Sequence, residues 1–203
     1  MGRVILVVYA HPYPHYSRAC ATLLEAIQDL PDLQVRSLDD LYPEFDIDVR
    51  AEQEALEAAE LVVWMGPLYW YSVPALLKHW FEKVLVQGFA YGGGQARLKG
   101  KDCLWVTTAG GDEHAFSAEG RHGHPLEAFV PVVEQTARFC RMNWLEPFVV
   151  LSAHNVRETV LREHGVELRE RLEAWAAMRP SPPPSPRGEA GPATRPLLEG
   201  DGD

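Results

Sequence analysis

Six consecutive residues near the start, Val4-Ile5-Leu6-Val7-Val8-Tyr9, are all apolar and mostly β-branched. A strand with one wet face alternates apolar and polar residues, so a run like this suits a strand covered on both faces. Leu61-Val62-Val63-Trp64-Met65 repeats the pattern, residues 103–107 and 148–151 read as further strands, and residues 33–38 give a more mixed one. Between them lie helical patterns. Ser17 stands at an N-cap position ahead of Cys20, Leu23, Leu24, Ile27 and Leu30, which have helical spacing, and Pro31-Asp32 ends the segment. Residues 51–60 are rich in Ala and Glu. Pro74 opens a helix with an apolar face of Leu76, Leu77, Trp80, Phe81, Val84 and Leu85, and residues 126–140 and 157–178 complete the set. This alternation predicts an α/β three-layer sandwich: a five-stranded parallel sheet of order 2-1-3-4-5, with helices on both faces and right-handed crossovers.

The 203 residues are 46% hydrophobic and 24% charged, which suits one domain with a single core. That domain is expected over residues 1–179. Beyond it, Ser181-Pro182-Pro183-Pro184-Ser185-Pro186 leads into a Gly- and acid-rich end, so residues 180–203 are expected to form a disordered Pro-rich tail. The formal net charge is −10 with no basic run, which argues against nucleic acid as a partner. The apolar run 4–10 is followed by His11-Pro12-Tyr13-Pro14 and by no small-residue cleavage site. No stretch reaches the ~20 apolar residues that a bilayer span needs. Cys20, Cys103 and Cys140 are far apart, with no CxxC or zinc spacing, and are read as reduced and mostly buried. A cytoplasmic protein without a metal site is expected.

In open parallel sheets, ligands bind outside the carboxyl ends of the strands, near the reversal of strand order. The loops after strands 1, 3 and 4 are therefore the candidate site. The first, residues 11–19, leads into a helix whose free N–H groups and dipole favour an anion, with Ser17, His11 and Arg18 as further donors. There is no GxGxxG, and residues 94–101 fail the phosphate-loop spacing and precede a strand. A mononucleotide phosphate is the better reading; the alternative is that Ser17 merely caps the helix. The second loop, Pro67-Leu68-Tyr69-Trp70-Tyr71-Ser72, has three successive aromatics outside any periodic element. They would stack on a flat heteroaromatic ring, or form an aromatic interface or satellite core. The third, Thr107-Thr108-Ala109-Gly110-Gly111, lets the backbone approach a ligand and aim N–H groups at it, or is a simple turn.

Tyr9-Ala10-His11-Pro12, the stretch Pro67-Leu68-Tyr69-Trp70-Tyr71-Ser72-Val73-Pro74, Gly88-Phe89-Ala90-Tyr91-Gly92 and Thr107-Thr108-Ala109-Gly110-Gly111 resemble the NAD(P)H:quinone oxidoreductase family of flavodoxin-like proteins, over roughly residues 3–178. Within it, Leu41-Tyr42-Pro43-Glu44-Phe45-Asp46-Ile47-Asp48 and Arg141-Met142-Asn143-Trp144-Leu145-Glu146-Pro147 are similar to the ancillary subunits of bacterial glutathione-regulated potassium-efflux systems. The resemblance implies FMN as bound flavin, NADH or NADPH as cosubstrate, a quinone acceptor, NAD(P)H dehydrogenase (quinone) activity, and a homodimer with sites at the subunit boundary. By motif position it implies that His11, Ser17, Arg18, Ala19 and Cys20 hold the ribityl phosphate. Leu68, Tyr69, Trp70 and Tyr71 would line the isoalloxazine, and Thr108, Ala109, Gly110 and Gly111 would hydrogen-bond its edge. Relatives usually carry Asn near Cys20, and a thiol is a poorer donor. Residues 116–123 resemble the loop that carries a Tyr–His pair in animal quinone reductases. His122 matches the histidine and is the catalytic residue this implies; Phe116 stands at the tyrosine position, so His122 is expected to act alone or through water. A solvated loop histidine is the alternative, and His122 with His124 lacks the further ligands of a metal site.

The closer resemblance implies a second role, docking on the cytoplasmic side of a membrane potassium–proton antiporter as a peripheral regulatory subunit. Fold and site are the same under both readings. A phospho-acceptor receiver domain shares the strand order but needs carboxylates after strand 1 and an Asp ending strand 3. Ala10-His11 and Met65-Gly66-Pro67 stand there instead, which excludes it.

Overall fold

Successive side chains on a strand point to opposite faces, so residue parity decides which helices each one meets. Strand β1 (Ile5–Tyr9) sends Ile5, Val7 and Tyr9 to one face, and Leu6 and Val8 to the other. The computed structural model describes residues 3–13, 17–93 and 96–178. The expected tail 180–203, residues 14–16 of the first loop, and Gly94 and Gln95 of the rejected phosphate loop lie outside them.

The remaining strands are β2 (Leu33–Ser37), β3 (Leu61–Pro67), β4 (Asp102–Thr108), β5 (Asn143–Trp144) and β6 (Phe148–Val150). All pair in parallel in the order β2-β1-β3-β4-β5, with β6 also on β4. The expected order stands, but the fifth strand is in two pieces. Cys103 faces Trp144 and Val106 faces Phe148, so Leu145-Glu146-Pro147 lies opposite only Leu104-Trp105. Pro147 has no N–H for the ladder, and the extra residue bulges out of it.

Helices α1 (Arg18–Ile27) and α6 (Glu158–Ala177) cover the first face, with Leu23, Ile27, Leu161, Leu168 and Leu172 against Ile5, Val7, Val63, Met65 and Leu104. After the short α2 (Leu38–Leu41), helices α3 (Val49–Ala58), α4 (Ala75–Val84) and α5 (Val130–Phe139) cover the second. There Leu56, Leu77, Trp80, Val84, Val133 and Ala137 share a core with Leu6, Val8, Val62, Trp64 and Trp105. Several boundaries differ from the sequence pattern; β3, for one, runs on through Gly66-Pro67. Leu38 opens α2 instead of ending the strand. Asp48 accepts the Ala51 N–H at 3.0 Å, so α3 starts at Val49. Pro74 is the N-cap of α4, whose first helical residue is Ala75. Residues Leu126–Phe129 form a 3-10 turn that becomes α-helical at Val130. The three cysteines are buried and unpaired. Among the described residues, no helix is long and apolar enough to cross a membrane.

One charge sits inside the second layer. Glu52 on α3 is fully buried; its Oε1 accepts from Arg36 Nε at 2.9 Å and from the Tyr42 hydroxyl at 2.7 Å, and its Oε2 accepts from Trp80 Nε1 at 2.9 Å. The carboxylate thus ties β2, the α2 end and α4 together. Removing one partner of a buried pair strands the other. We expect Glu52→Ala to lower the unfolding free energy by about 3–5 kcal/mol in denaturant melts, with Glu52→Gln losing less. A loss no larger than that of the exposed Glu54→Ala would show that the network does not stabilise the fold.

Candidate active site

The loops after β1, β3 and β4 meet a fourth, after β6, at the carboxyl rim of the sheet. Gly66 makes the approach possible: a Cβ there would lie 2.5 Å from the Ala10 carbonyl oxygen. Two cavities open side by side. The first, about 490 Å³, is lined by His11, Ser17, Arg18, Ala19, Cys20, Tyr69 and Thr108. The second, about 420 Å³, is lined by Trp70, Tyr71, Ala109, Gly111, Phe116, Arg121 and His122. Leu68, Gly110 and His154 belong to both, so the cavities are two lobes of one cleft. Every residue that the resemblance assigns to the site borders one lobe or the other, and His124 borders neither.

The first lobe offers donors to an anion. Ser17 has the extended backbone of an N-cap, φ −79° and ψ 95°, yet its hydroxyl makes no capping bond. Its Oγ is buried without a partner among the described residues. Simple capping by this side chain is therefore ruled out. Beside it lies the start of α1, where the first-turn N–H groups have no intrahelical acceptor. His11 Nδ1 accepts the Tyr13 N–H at 3.0 Å, so Nε2 carries the hydrogen. Burial lowers the His11 pKa, which keeps the ring a neutral donor. The Arg18 guanidinium donates to the Val156 carbonyl, binding α1 to the loop after β6. Cys20 Sγ lies 3.3 Å from Thr108 Oγ1, and burial pushes the thiol up, so it forms a neutral floor and no nucleophile.

The second lobe is aromatic. Tyr69 and Ser72 exchange both backbone hydrogen bonds at 3.0 Å, while Trp70 and Tyr71 have φ of +49° and +63°. This two-residue turn has the left-handed geometry that Asn-Gly normally occupies. Holding two aromatics there costs about 1–3 kcal/mol each. The Leu68 N–H, donating to the Thr108 carbonyl at 2.8 Å, pins the turn to β4. Trp70 is 93% exposed, which excludes a satellite core for it, while Tyr71 stacks on Phe129 at 4.9 Å between centroids. Opposite, a Cβ on Gly110 would lie 2.7 Å from His154, and one on Gly111 2.9 Å from Phe116. The Ala109 N–H is spent on the Val150 carbonyl at 2.8 Å, so Ala109 lines the lobe but has no N–H to offer a ligand. The N–H groups of Gly110 and Gly111 have no acceptor among the described residues.

His122 is half-buried, not a solvated loop histidine. It stacks on Phe116 at 4.2 Å and 20°, and its Nε2 is buried without a partner among the described residues. Its Nδ1 lies 3.4 Å from the Tyr71 hydroxyl. Phe116 brings no hydroxyl to the ring, and the hydroxyl nearest to Nδ1 is that of Tyr71, on the other side of the lobe. The sequence reading missed His154 and Arg121 as lining residues. His154 follows the last strand, at the same rim, and that position was the available signal. Arg121 carried none beyond adjacency to His122.

Residues 3–172 match the family described as flavodoxin-like fold. The chain is 44% identical over 172 residues to the glutathione-regulated potassium-efflux system ancillary protein KefF of Salmonella typhimurium, covering 85% of this chain and 97% of that protein. It is also similar to the general stress protein 14 of Treponema denticola, solved in complex with FMN, with a TM-score of 0.75 and 30% identity over 85% of this chain and 97% of the other. The NADPH-quinone reductase of P. pentosaceus superposes with a TM-score of 0.74 and 26% identity, covering 83% and 96%. The parallel sheet, its strand order and the cleft at its carboxyl rim agree with these likenesses, and the chain belongs to the flavodoxin-like fold family.

Proposed function

We propose that this chain is an FMN-dependent NAD(P)H:quinone oxidoreductase, moving two electrons as hydride from NADH or NADPH to a quinone. One observation carries the reading: the Ser17 hydroxyl, buried and without a partner among the described residues, lines at the start of α1 a lobe that shares its wall with an aromatic one. A phosphate on the first lobe and a flat ring at the second is the shape of a flavin mononucleotide. FMN in complex with the Treponema denticola protein and the quinone reductase named for P. pentosaceus support it.

Bound FMN would supply a hydride acceptor and donor in its isoalloxazine ring. The chain's own groups do the rest. Ser17 Oγ, the His11 Nε2–H and the N–H groups of Ala19 and Cys20 would hold the phosphate with directed hydrogen bonds at a helix N-terminus. Arg18 secures that corner through its bond to Val156. Leu68 and Tyr69 position the ring from the β3 side, and Thr108, Gly110 and Gly111 from the β4 side. Trp70, Tyr71 and Phe116 wall the place that the nicotinamide and then the quinone occupy. His122 would present Nε2 beside the Gly110-Gly111 cradle, a preorganised group of the kind that stabilises negative charge and lowers such barriers. In balance, NAD(P)H, a quinone and one proton give NAD(P)+ and the hydroquinone.

Two partner assignments accompany this reading. A homodimer is supported by the groove of about 350 Å³ between α4 and α5, beside the half-exposed apolar side chains Val132 and Phe139. A regulatory role at the cytoplasmic side of a membrane potassium-efflux antiporter is supported by the 44% identity to KefF across nearly its whole length. Co-purification with such a transporter would favour that role, and it is compatible with the enzyme activity.

The purified full-length protein should be yellow and release FMN on denaturation; a colourless preparation that takes up no FMN on reconstitution would refute the cofactor assignment. Ser17→Ala should weaken FMN binding roughly 10- to 100-fold in fluorescence titrations, the worth of a hydrogen bond to a charged group. His122→Ala should slow quinone turnover roughly 100-fold while weakening FMN binding far less. Equal losses in both would mean that His122 only supports the loop.

A further inference from the structure

We propose that Tyr71 is the positioning residue for His122: its phenolic O–H donates to Nδ1, so that Nε2 carries the ring hydrogen and aims it at the Gly110-Gly111 cradle. The inference rests on the quinone reductase reading of the same cleft and deepens it.

The contact joins two pinned rings. Tyr71 lies flat on Phe129, 4.9 Å between centroids at 29°, and presents its edge to His122 at 5.7 Å and 80°. His122 lies flat on Phe116, and its backbone N–H is held by the Ala115 carbonyl at 3.0 Å. The oxygen–nitrogen separation of 3.4 Å is long for such a bond, yet neither ring can turn away without giving up its stacking partner. Phe116 touches the imidazole only through its face and has no hydroxyl to offer.

The chemistry then sets the direction. A neutral imidazole has one nitrogen that donates and one that accepts. A phenol is the better donor of the pair, and Nδ1 the open acceptor, so the hydrogen belongs on Nε2. That atom is buried and has no acceptor among the described residues. A Cβ added to Gly111 would lie 3.2 Å from it, which places Nε2 against the cradle and not against solvent. A buried donor without an acceptor is destabilising, so its placement points to a ligand atom that accepts. Backbone strain points the same way. Tyr71 keeps φ +63° where glycine or asparagine would be at ease, and that conformation carries its hydroxyl to a histidine 51 positions later.

The test uses full-length protein labelled with 15N-histidine, recorded without flavin at about pH 8, above the ordinary histidine range. In the wild type, the proton of the His122 ring should correlate with Nε2. Tyr71→Phe, which keeps the stack on Phe129, should move the Nδ1 resonance toward that of a free acceptor nitrogen. In the FMN-loaded protein the same variant should lower kcat for quinone about 5- to 10-fold, the worth of one neutral hydrogen bond, with KM and FMN affinity little changed. A hydrogen found on Nδ1 in the wild type, or an Nδ1 resonance unmoved in Tyr71→Phe, overturns the proposal while leaving quinone turnover by the wild type intact. A wild type that binds no flavin refutes the enzyme reading instead, whatever the spectra show.

Discussion

Burial of the parallel sheet on both faces is the constraint from which the rest follows. A parallel strand cannot turn back on its neighbour, so each pair needs a crossover, and the crossovers here are helices laid on the two faces. Apolar side chains of alternating parity in β1, β3 and β4 satisfy both layers at once. Because all strands run the same way, all of their carboxyl ends lie on one rim. Loops after β1, β3, β4 and β6 are therefore brought together without being neighbours in sequence. The cleft is a consequence of packing: Ala19, Cys20, Ala109 and Phe116 close it from the core side, while Ser17, Tyr69, Trp70 and Tyr71 line it without belonging to the core.

What those residues share is a set of unmet demands. Ser17 Oγ and His122 Nε2 are buried without partners among the described residues, and two successive aromatics sit in left-handed backbone. Each costs stability that the folded chain alone does not recover. Unpaired buried groups and local strain collect where a protein is organised for something other than its own folding. The contrast with Glu52 is instructive. That carboxylate is equally deep but meets four donor atoms, counting both Arg36 nitrogens, and its function is to tie a layer together. Burial of a polar group does not by itself mark a site, nor does the lack of a partner, since Trp64 Nε1 and Thr107 Oγ1 are also buried without one among the described residues; Ser17 and His122 differ in lining the cleft.

The two functional readings draw on different parts of the molecule. The proposed redox chemistry belongs to the cleft. Regulation of a transporter would belong to an outer surface, and the cleft's geometry would bear on it only through what a bound cofactor reported. That separation is why likeness to an ancillary subunit and likeness to quinone reductases are compatible in one chain.

Strand identity, sheet order and the three main loops of the site were legible in the sequence, because apolar periodicity is local and directly reports burial. The continuous run at residues 4–9 and its counterparts at 61–65 and 103–107 need no partner to be recognised. Other features only tertiary structure could decide. The last strand is split at Leu145-Glu146-Pro147, where three residues lie opposite two of β4, and Leu38 turns into α2 at the end of an otherwise extended run. Whether Ser17 caps α1 or leaves its hydroxyl open depends on side-chain rotation inside a cavity that the sequence does not display. The meeting of Tyr71 with His122, and of His154 with Gly110, joins loops with no periodicity and large separations along the chain. Local pattern sets which segments become strands and helices; which loop side chains touch is set by how those elements pack, and that information is not local.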